Sequence, residues 1–300
     1  MRPIETAILR TILYADVFHF PLTLDELHRY LISDITVSRA DLEHVLTLST
    51  SLRQHLHHAE GYICLQTRQN LIALRAERER ISEQLWQRAI GYGQWLSHIP
   101  FVQMVALTGA LAVRNPASLD DDFDYLLITR PGRVWLARAF AVLIVRIVRL
   151  FGHELCPNYV MASDQLRQKR QNLYIAHEMM QMRPIYGKKL YHAINAENQW
   201  TSVYLPNARP HPTPNDRPRR LRRVLEWLFG GKLGDAIENW EYQRKLNKFQ
   251  AILHETPSAE INAHSVKGHF QDHGASMMAR YQALLYEYDV DDTRDALAGD

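Results

Sequence analysis

The sequence predicts a mixed α/β protein in which a small mixed sheet forms the core, with a compact domain before it and a helical region after it. Short apolar stretches at residues 101–107, 122–129 and 155–161 predict three strands. Between the last two stretches, residues 133–151 carry apolar side chains at helical spacing. The resulting order of strand, turn, strand, helix and strand is typical of an α/β core.

The composition is that of an ordinary globular protein. Of the 300 residues, 46% are hydrophobic and 23% are charged, and the formal net charge is +2. So small a net charge indicates no general requirement for a polyanionic partner. Cys64 and Cys156 lie far apart and form no CxxC motif, which fits a reducing compartment. Because the first five residues also lack the apolar core of a signal peptide, we expect a cytoplasmic protein.

Residues 1–68 are predicted to form a domain of three short helices and a hairpin. A first stretch shows apolar residues at helical spacing. Thr23 and Glu26 form a capping box for a second helix, and Ser38 is a suitable N-cap for a third. Alternating residues then flank a Glu-Gly turn at 60–61, which predicts the hairpin. Three short helices followed by a hairpin are the outline of a winged helix.

The rest of the chain divides into three predicted parts. A polar helix over residues 69–99 connects the first domain to the α/β core at 100–205. Five prolines between 206 and 218 predict a linker, so 206–300 becomes a helical C-terminal region. Three arginines interrupt the apolar run Val134–Phe151, whereas a spanning helix needs about 20 largely uncharged residues. We therefore expect a buried amphipathic helix there and no membrane span.

A cluster of carboxylates opens the second strand of the predicted core. Asp122 and Asp124 are two residues apart, so on a strand both side chains project from one face. Phe123 points to the other face, where a core can accommodate it. Carboxylate oxygens are ligands that Mg²⁺ and Mn²⁺ prefer, and a cation relieves the repulsion between neighbouring acids. We predict that Asp122 and Asp124 bind metal; the alternative is a solvated acidic turn.

A second candidate element directly follows the first strand of the core. Gly109 has no Cβ, so its backbone can approach a phosphate closely. A helix that begins near Ala110 would add the positive end of its dipole. We predict that Gly109 and Ala110 present backbone N–H groups to a phosphate.

The two elements together resemble the signature of the polymerase β-like nucleotidyltransferase superfamily. In that signature a strand ends in Gly-Ser or Gly-Gly, and Asp-apolar-Asp opens the next strand after roughly a dozen residues. The matching segments here are Val-Ala-Leu-Thr-Gly-Ala at 105–110 and Asp-Phe-Asp-Tyr-Leu-Leu-Ile at 122–128. The chain is also similar, at 129–136, 176–184 and over most of its length, to a group of uncharacterised bacterial proteins with a winged helix before such a domain.

The resemblance implies an Mg²⁺-dependent transferase that moves a nucleoside monophosphate from an NTP to an acceptor, with Asp122 and Asp124 holding the metal. It also implies that Thr108, Gly109 and Ala110 hold the phosphates of the nucleotide, with Arg114 as a further phosphate contact. Two positions depart from the pattern. Ala110 stands where the family usually has Ser or Gly, and Asn158 corresponds best to a third carboxylate. Asparagine orients a substrate or binds metal weakly, but it is no general base. Glu154 would replace it only if that strand began earlier.

Three functions therefore stay open. The first is a transferase whose acceptor is a protein, a nucleic acid or a small molecule. The second is a nucleotide-binding regulator with little or no turnover. The third is a DNA-binding regulator, which has the weakest support because the candidate recognition helix Ser38–Leu48 is nearly neutral.

Some weaker sequence signals are explained by helix packing or by solvent exposure. His177-Glu178 suggests a zinc protease, but Gln181 stands where that motif needs a second histidine, so His177 is predicted to be a packing residue. The basic cluster Arg217–Arg223 is predicted to be a solvated helix face. Arg183 and Lys188 are further candidates for phosphate contacts. The polar segment Lys267-Gly268-His269-Phe270, with His273, is a candidate for the substrate side of the site and has no assigned role.

Overall fold

A computed structural model describes residues 2–216, 219–255, 261–267 and 273–291. Within these ranges the protein is mixed α/β with two small sheets, which confirms the predicted class. The strands are β1 (Leu22–Thr23), β2 (Leu56–Ala59), β3 (Tyr62–Leu65), β4 (Val102–Leu107), β5 (Phe123–Thr129), β6 (Leu155–Ala162), β7 (Arg183–Tyr186) and β8 (Ser265–Lys267).

Helices alternate with these strands and also cover both faces of the larger sheet. They are α1 (Pro3–Val17), α2 (Leu24–Arg29), α3 (Arg39–Leu48), α4 (Thr50–His55), α5 (Leu71–Leu96), α6 (Gly109–Ala112), α7 (Val134–Arg149), α8 (Leu173–Gln181), α9 (Lys188–Glu197), α10 (Thr201–Tyr204), α11 (Arg220–Leu228), α12 (Lys232–Glu255) and α13 (His273–Glu287).

The N-terminal helices α1 to α4 pack around a three-stranded antiparallel sheet of order β1-β3-β2. The predicted capping box at Thr23 and the Ser38 cap are both present. The predicted hairpin turns at Glu60 and Gly61, whose φ angles of 54° and 81° match the left-handed pair that a tight hairpin requires. Helix α4 replaces the first part of the predicted strand, because the Ser49 side chain caps it by accepting from the backbone N–H of Leu52.

The larger sheet has the order β7-β4-β5-β6-β8, with β5 and β6 parallel and the other neighbours antiparallel. Successive residues of β5 alternate between two hydrophobic cores. Leu126 and Ile128 join the core that contains α1, α8 and α9. Phe123 and Tyr125 face the other core, beneath α5 and α7. The side chain of Asp124 therefore projects from the face that is covered by α8.

The segment after the proline-rich loop contributes more than helices to the structure. Strand β8 pairs with β6, with Lys267 opposite Tyr159, so this segment forms one edge of the core sheet. On α12, the buried carboxylate of Glu238 accepts hydrogen bonds from the backbone N–H groups of Trp135 and Leu136 at the start of α7. The expectation of a purely helical region is wrong for β8, whose three residues are too few to show a pattern. The division into four parts stays a prediction.

Helix α7 is amphipathic, but its outer face carries apolar side chains beside the exposed Arg146 and Arg149. Trp135, Ala141 and Val148 are buried, as the expectation of a buried helix requires. Leu143 and Ile147 are instead 53% and 41% exposed. None of the described helices is both long enough and apolar enough to cross a membrane.

A buried arginine connects the N-terminal helices to the core. The guanidinium of Arg75, on α5, lies 2.8 Å from a carboxylate oxygen of Glu26 and 2.8 Å from one of Glu79. It also donates a hydrogen bond to the backbone carbonyl of Arg114 and lies 4.0 Å from the centroid of the Phe20 ring. Because the arginine side chain is only 1% exposed, these partners replace the water that it has lost.

Replacing Arg75 with alanine should lower the free energy of unfolding by about 3 kcal/mol, since two partly buried carboxylates lose their counter-charge. Chemical denaturation would measure the change. Arg80, on the same helix, pairs with Glu77 at the surface, so Arg80→Ala is the matched control and should have little effect. Equal stabilities of the two variants would contradict a structural role for the buried network.

Candidate functional site

The acidic pair lies at the beginning of β5. Asp122 is exposed just before the strand, Asp124 is half-buried within it, and Phe123 is buried on the opposite face, as predicted. One carboxylate oxygen from each aspartate and the Sγ atom of Cys156 all lie within 4.8 Å of one another. Two carboxylates at this separation can bind the same divalent cation.

The charge on Asp124 is disfavoured in the protein without a bound cation. Burial raises the pKa of Asp124 to about 8, and the nearby carboxylate of Asp122 contributes to the increase. The hydrogen bond that Asn158 donates lowers the pKa of Asp124, whereas the nearby Glu178 and Asp121 raise it further. A divalent cation would stabilise the ionised form and offset the repulsion among these acids. The electrostatics therefore favour cation binding at this point.

Strand β6 brings Asn158 to the acidic pair through an irregularity in its register. Asp124 pairs with Cys156 but Leu126 pairs with Tyr159, so β6 contains one extra residue at this point. The amide of Asn158 donates a hydrogen bond to the Oδ1 atom of Asp124. In turn, the Cys156 thiol donates to the Oδ1 atom of Asn158. Asn158 thus fixes the orientation of the Asp124 carboxylate.

Neither Cys156 nor Glu154 takes the place of the third carboxylate that the sequence resemblance led us to expect. Burial, with the charges of Asp124 and Asp122, raises the pKa of the Cys156 thiol to about 12, so the thiol is neutral near pH 7. Glu154 precedes β6 and its exposed carboxylate pairs with Arg149 at 2.7 Å. The strand does not begin early enough to bring Glu154 to the site.

Gly109 packs directly against the carboxylate of Asp124. Its φ angle is 67°, and a Cβ atom at this position would lie 2.1 Å from the Oδ2 atom of Asp124. The backbone N–H of Thr108 donates to the carbonyl of Asp124, which holds the two segments together. Glycine is therefore required here to admit the carboxylate. The helix that begins at Gly109 has only four residues, too few for the expected dipole contribution.

Beside the acidic pair lies a cavity of about 450 Å³. Thr108, Gly109, Asp124 and Asn158 line it, so the structure brings these predicted residues together. The other two predicted phosphate contacts are displaced. Ala110 lines a neighbouring cavity instead, and Arg114 lines neither.

The backbone conformation of Arg114 accounts for the position of its side chain away from the cavity. Its φ angle is 59°, and its guanidinium lies 5.9 Å from the centroid of the Trp86 ring. Arg183 is also directed elsewhere, because it donates to the carbonyl of Ala112 and contacts His211. Lys188 does not line the cavity either. The structure therefore does not support the predicted phosphate contacts of these three cations.

Three further charged residues line the cavity, and of these the sequence indicated only Lys267, as part of a polar segment without an assigned role. Arg170 lies between β6 and α8, and Lys267 lies on β8. Glu178 is on α8, and its accessible side chain faces this cavity and the neighbouring one. The protein around the cavity removes much of the bulk water from the Glu178 carboxylate, which raises its pKa, while Lys267 lowers it. The sequence pattern around Glu178 predicted only that this residue lies on a helix.

The assembled site can hold a cation between two aspartates and a polyanion near two basic side chains. His269 and Arg217, which belonged to weaker sequence signals, lie outside the described residues. Comparison of the chain with models of known protein families, with curated proteins and with solved structures found no match in any of the three.

Proposed function

We propose that the protein is an Mg²⁺- or Mn²⁺-dependent nucleotidyltransferase with a polymerase β-like core and an N-terminal winged helix. The observation that carries the proposal is the half-buried carboxylate of Asp124, beside Asp122 and against Gly109, at the wall of a cavity. The cavity volume of about 450 Å³ lies within the range of small-molecule sites, roughly 300–1,000 Å³. An NTP is the ligand that combines a cation requirement with a chain of phosphates.

Each part of the site has a role in this reaction. Asp122 and Asp124 would hold the cation, which neutralises phosphate charge and polarises the reacting phosphate. Asn158 keeps one oxygen of Asp124 in a fixed direction. Lys267 and Arg170 provide positive charge on the cavity wall for the triphosphate.

The transfer itself is a displacement at phosphorus. An acceptor hydroxyl oxygen forms a bond to the α-phosphorus, and the bond from that phosphorus to the bridging oxygen of pyrophosphate breaks. The hydroxyl proton passes to Glu178, the carboxylate that lines the cavity where Asn158 offers no base. A raised pKa suits Glu178 to accept this proton near neutral pH.

A transfer assay tests the proposal. The full chain is incubated with Mg²⁺, labelled NTPs and a cell extract, beside the double variant Asp122→Asn/Asp124→Asn. Transfer should fall at least about a hundredfold in the double variant, because the cation loses both carboxylates. Asp120→Asn, which removes an exposed acid of the same run, is the control and should transfer normally. Transfer that survives the double substitution would refute the proposal.

Glu178→Gln adds a separate arm to the same assay. This variant should retain Mg²⁺-dependent NTP binding and lose transfer by about a hundredfold or more, the range of general-base catalysis. Unchanged transfer would exclude Glu178 as the proton acceptor while leaving the metal site intact.

A nucleotide-binding protein without turnover is the second candidate, and the presence of Asn158 at the third carboxylate position favours it. NTP binding without transfer to any component of the extract would support this alternative. DNA binding has less support, because Arg39 is the sole Lys or Arg of α3 and pairs with Asp25 and Glu43, at 2.8 and 3.3 Å. The α3 helix thus offers no unpaired cation to a phosphate backbone.

A further inference from the structure

Exposed apolar side chains cluster on α7 and α11. Two of them are on α7 and three are on α11, and each is at least 41% exposed: Leu143, Ile147, Val224, Trp227 and Leu228. Trp227 is the most exposed of the five, at 80%. We call these five residues the apolar patch. A group of large apolar side chains in contact with water is typical of an interaction surface.

An aromatic contact joins the two parts of the apolar patch. The ring centroids of Phe140, on α7, and Phe229, which follows α11, are 5.5 Å apart. Phe140, Leu143 and Ile147 are spaced by three and four residues, so they share one side of α7. Phe229 directly follows Leu228 in the chain. The exposed side of α7 and the outer side of α11 are therefore neighbours on the protein surface.

The inner side of α11 is fixed to the protein by polar contacts. Arg222 donates hydrogen bonds to the carbonyl of Val102 and to the hydroxyl of Tyr186. Glu226 pairs with Arg222 at 3.1 Å and accepts a hydrogen bond from the backbone N–H of Phe101. An ordinary surface helix turns its polar side to water and its apolar side to the core. Here the polar side chains hold α11 in place, and the apolar side chains of the patch remain in water.

Three arginines border the apolar patch. Arg220 and Arg223 are each four residues before a patch residue of α11, and Arg146 is three residues after Leu143. All three are exposed, and none of them forms an ion pair with an acid among the described residues. The surface therefore combines apolar side chains with positive charge that has no counter-charge.

This combination fits the surface of an anionic membrane better than it fits other partners. Helices that lie in a lipid interface carry Trp and Leu on one side, with Lys and Arg beside them. In a symmetric dimer the same patch would face itself, so the arginines of the two copies would repel one another. A nucleic acid would satisfy the arginines but would leave the apolar side chains exposed.

We propose that the apolar patch binds the surface of a membrane that contains anionic lipids. Trp227 and the aliphatic side chains enter the boundary between the head groups and the acyl chains. The three arginines contact the acidic head groups. The protein lies on the membrane and does not cross it. This inference goes beyond the proposed function and does not depend on it.

Co-sedimentation of the full chain with lipid vesicles tests the inference. One set of vesicles contains phosphatidylcholine alone, and the other contains phosphatidylcholine and phosphatidylserine in a ratio of about three to one. The unmodified protein should bind the second set at least about tenfold more tightly, since each basic side chain near an anionic surface contributes to binding. Added salt should reduce the difference between the two sets.

Two double variants test the two components of the surface separately. Trp227→Ser/Leu228→Ser removes apolar area and should weaken binding to the anionic vesicles by about tenfold or more. Arg220→Gln/Arg223→Gln removes two charges and should weaken it by about tenfold, while binding to pure phosphatidylcholine stays the same. All four side chains are on the outside of α11, so the midpoint of thermal unfolding should not change.

Matched controls are available on the opposite side of the larger sheet. Helices α4 and α13 pack into the core that contains α1, whereas α7 packs into the other core. Tyr286→Ser, on α13, removes an aromatic side chain that is 91% exposed. Arg53→Gln/Arg280→Gln removes two exposed cations from α4 and α13. Both controls should bind the anionic vesicles as the unmodified protein does.

Fluorescence shows whether the tryptophan enters the lipid. Vesicles with brominated acyl chains should quench the fluorescence of the unmodified protein. Trp227→Phe keeps an aromatic ring on the patch, so it should still bind the vesicles but should lose most of this quenching.

No binding of the unmodified protein to the anionic vesicles would overturn the inference, and so would equal binding by Trp227→Ser/Leu228→Ser. A dimer that this double variant dissociates, without any vesicle binding, would show instead that the patch joins two copies of the chain. A DNA or RNA complex that only Arg220→Gln/Arg223→Gln weakens, again without vesicle binding, would assign the arginines to a nucleic acid.

Discussion

Gly109→Ala should abolish Mg²⁺-dependent NTP binding and transfer, although it adds only one methyl group. The new Cβ atom would lie 2.1 Å from the Oδ2 atom of Asp124, far inside van der Waals contact. Either the carboxylate must rotate away from the cation position or the backbone must move. We expect transfer to fall by about a hundredfold or more, as is found when reacting groups are displaced by about 1 Å.

Gly132→Ala is a closely matched control for this substitution. Gly132 has a φ angle of 68°, almost the same as Gly109, but a Cβ atom there would meet no atom within 4 Å. Both variants carry the same backbone strain, about 1–2 kcal/mol. Only Gly109→Ala disturbs a carboxylate. If both variants lost NTP binding to the same extent, the contact with Asp124 would not be the cause.

Asp124→Asn should stabilise the metal-free protein above pH 8, even though it removes a metal ligand. The carboxyl of Asp124 has a pKa of about 8 in the folded protein, against an ordinary value of 3.8. This difference corresponds to roughly 6 kcal/mol, which the folded state loses when the buried group ionises. Asparagine has no such ionisation, and its side-chain oxygen can still accept the hydrogen bond from Asn158.

The same difference between the folded and the ordinary pKa of Asp124 makes the stability of the unmodified protein depend on pH. Between pH 3.8 and about 8 the folded carboxyl keeps a proton that the unfolded chain has released, so the stability falls as the pH rises. Denaturation in the presence of EDTA from pH 5 to 9 should show this slope, and Asp124→Asn should reduce it. Added Mg²⁺ should restore the stability of the unmodified protein. Parallel pH curves for the two proteins would disprove the effect of Asp124.

The sequence predicted the central strands because their patterns are local. The alternation around Phe123 places two acids on one face and an aromatic side chain in the core, and a two-residue period is sufficient to show it. Capping by Thr23 and Ser38 is equally local, since each side chain bonds to an N–H three residues away. The prediction that Gly109 lies beside the acidic pair depended instead on a resemblance.

The remaining parts of the site depend on long-range contacts, which the sequence does not show. Strand β7 has four residues, including Pro184, and no clear alternation. Lys267 reaches the cavity only because β8 pairs with β6. Glu178 lies on α8, and the spacing of apolar residues in this helix fits several rotations about the helix axis. Only the packed structure shows that Glu178 faces the cavities. Arg114 shows the opposite case, because it lies close to Gly109 in the sequence but does not line the cavity in the structure.

The edge strand β8 also has a consequence for the timing of assembly during synthesis. Its partner Tyr159 and its own residue Lys267 are more than a hundred residues apart, and closing so long a loop is entropically unfavourable and slow. Translation delivers Asp122 and Asp124 well before the lysine that completes the cavity wall. A nascent chain therefore presents its acidic residues first, and the wall of the proposed nucleotide site is complete only after β8 has left the ribosome.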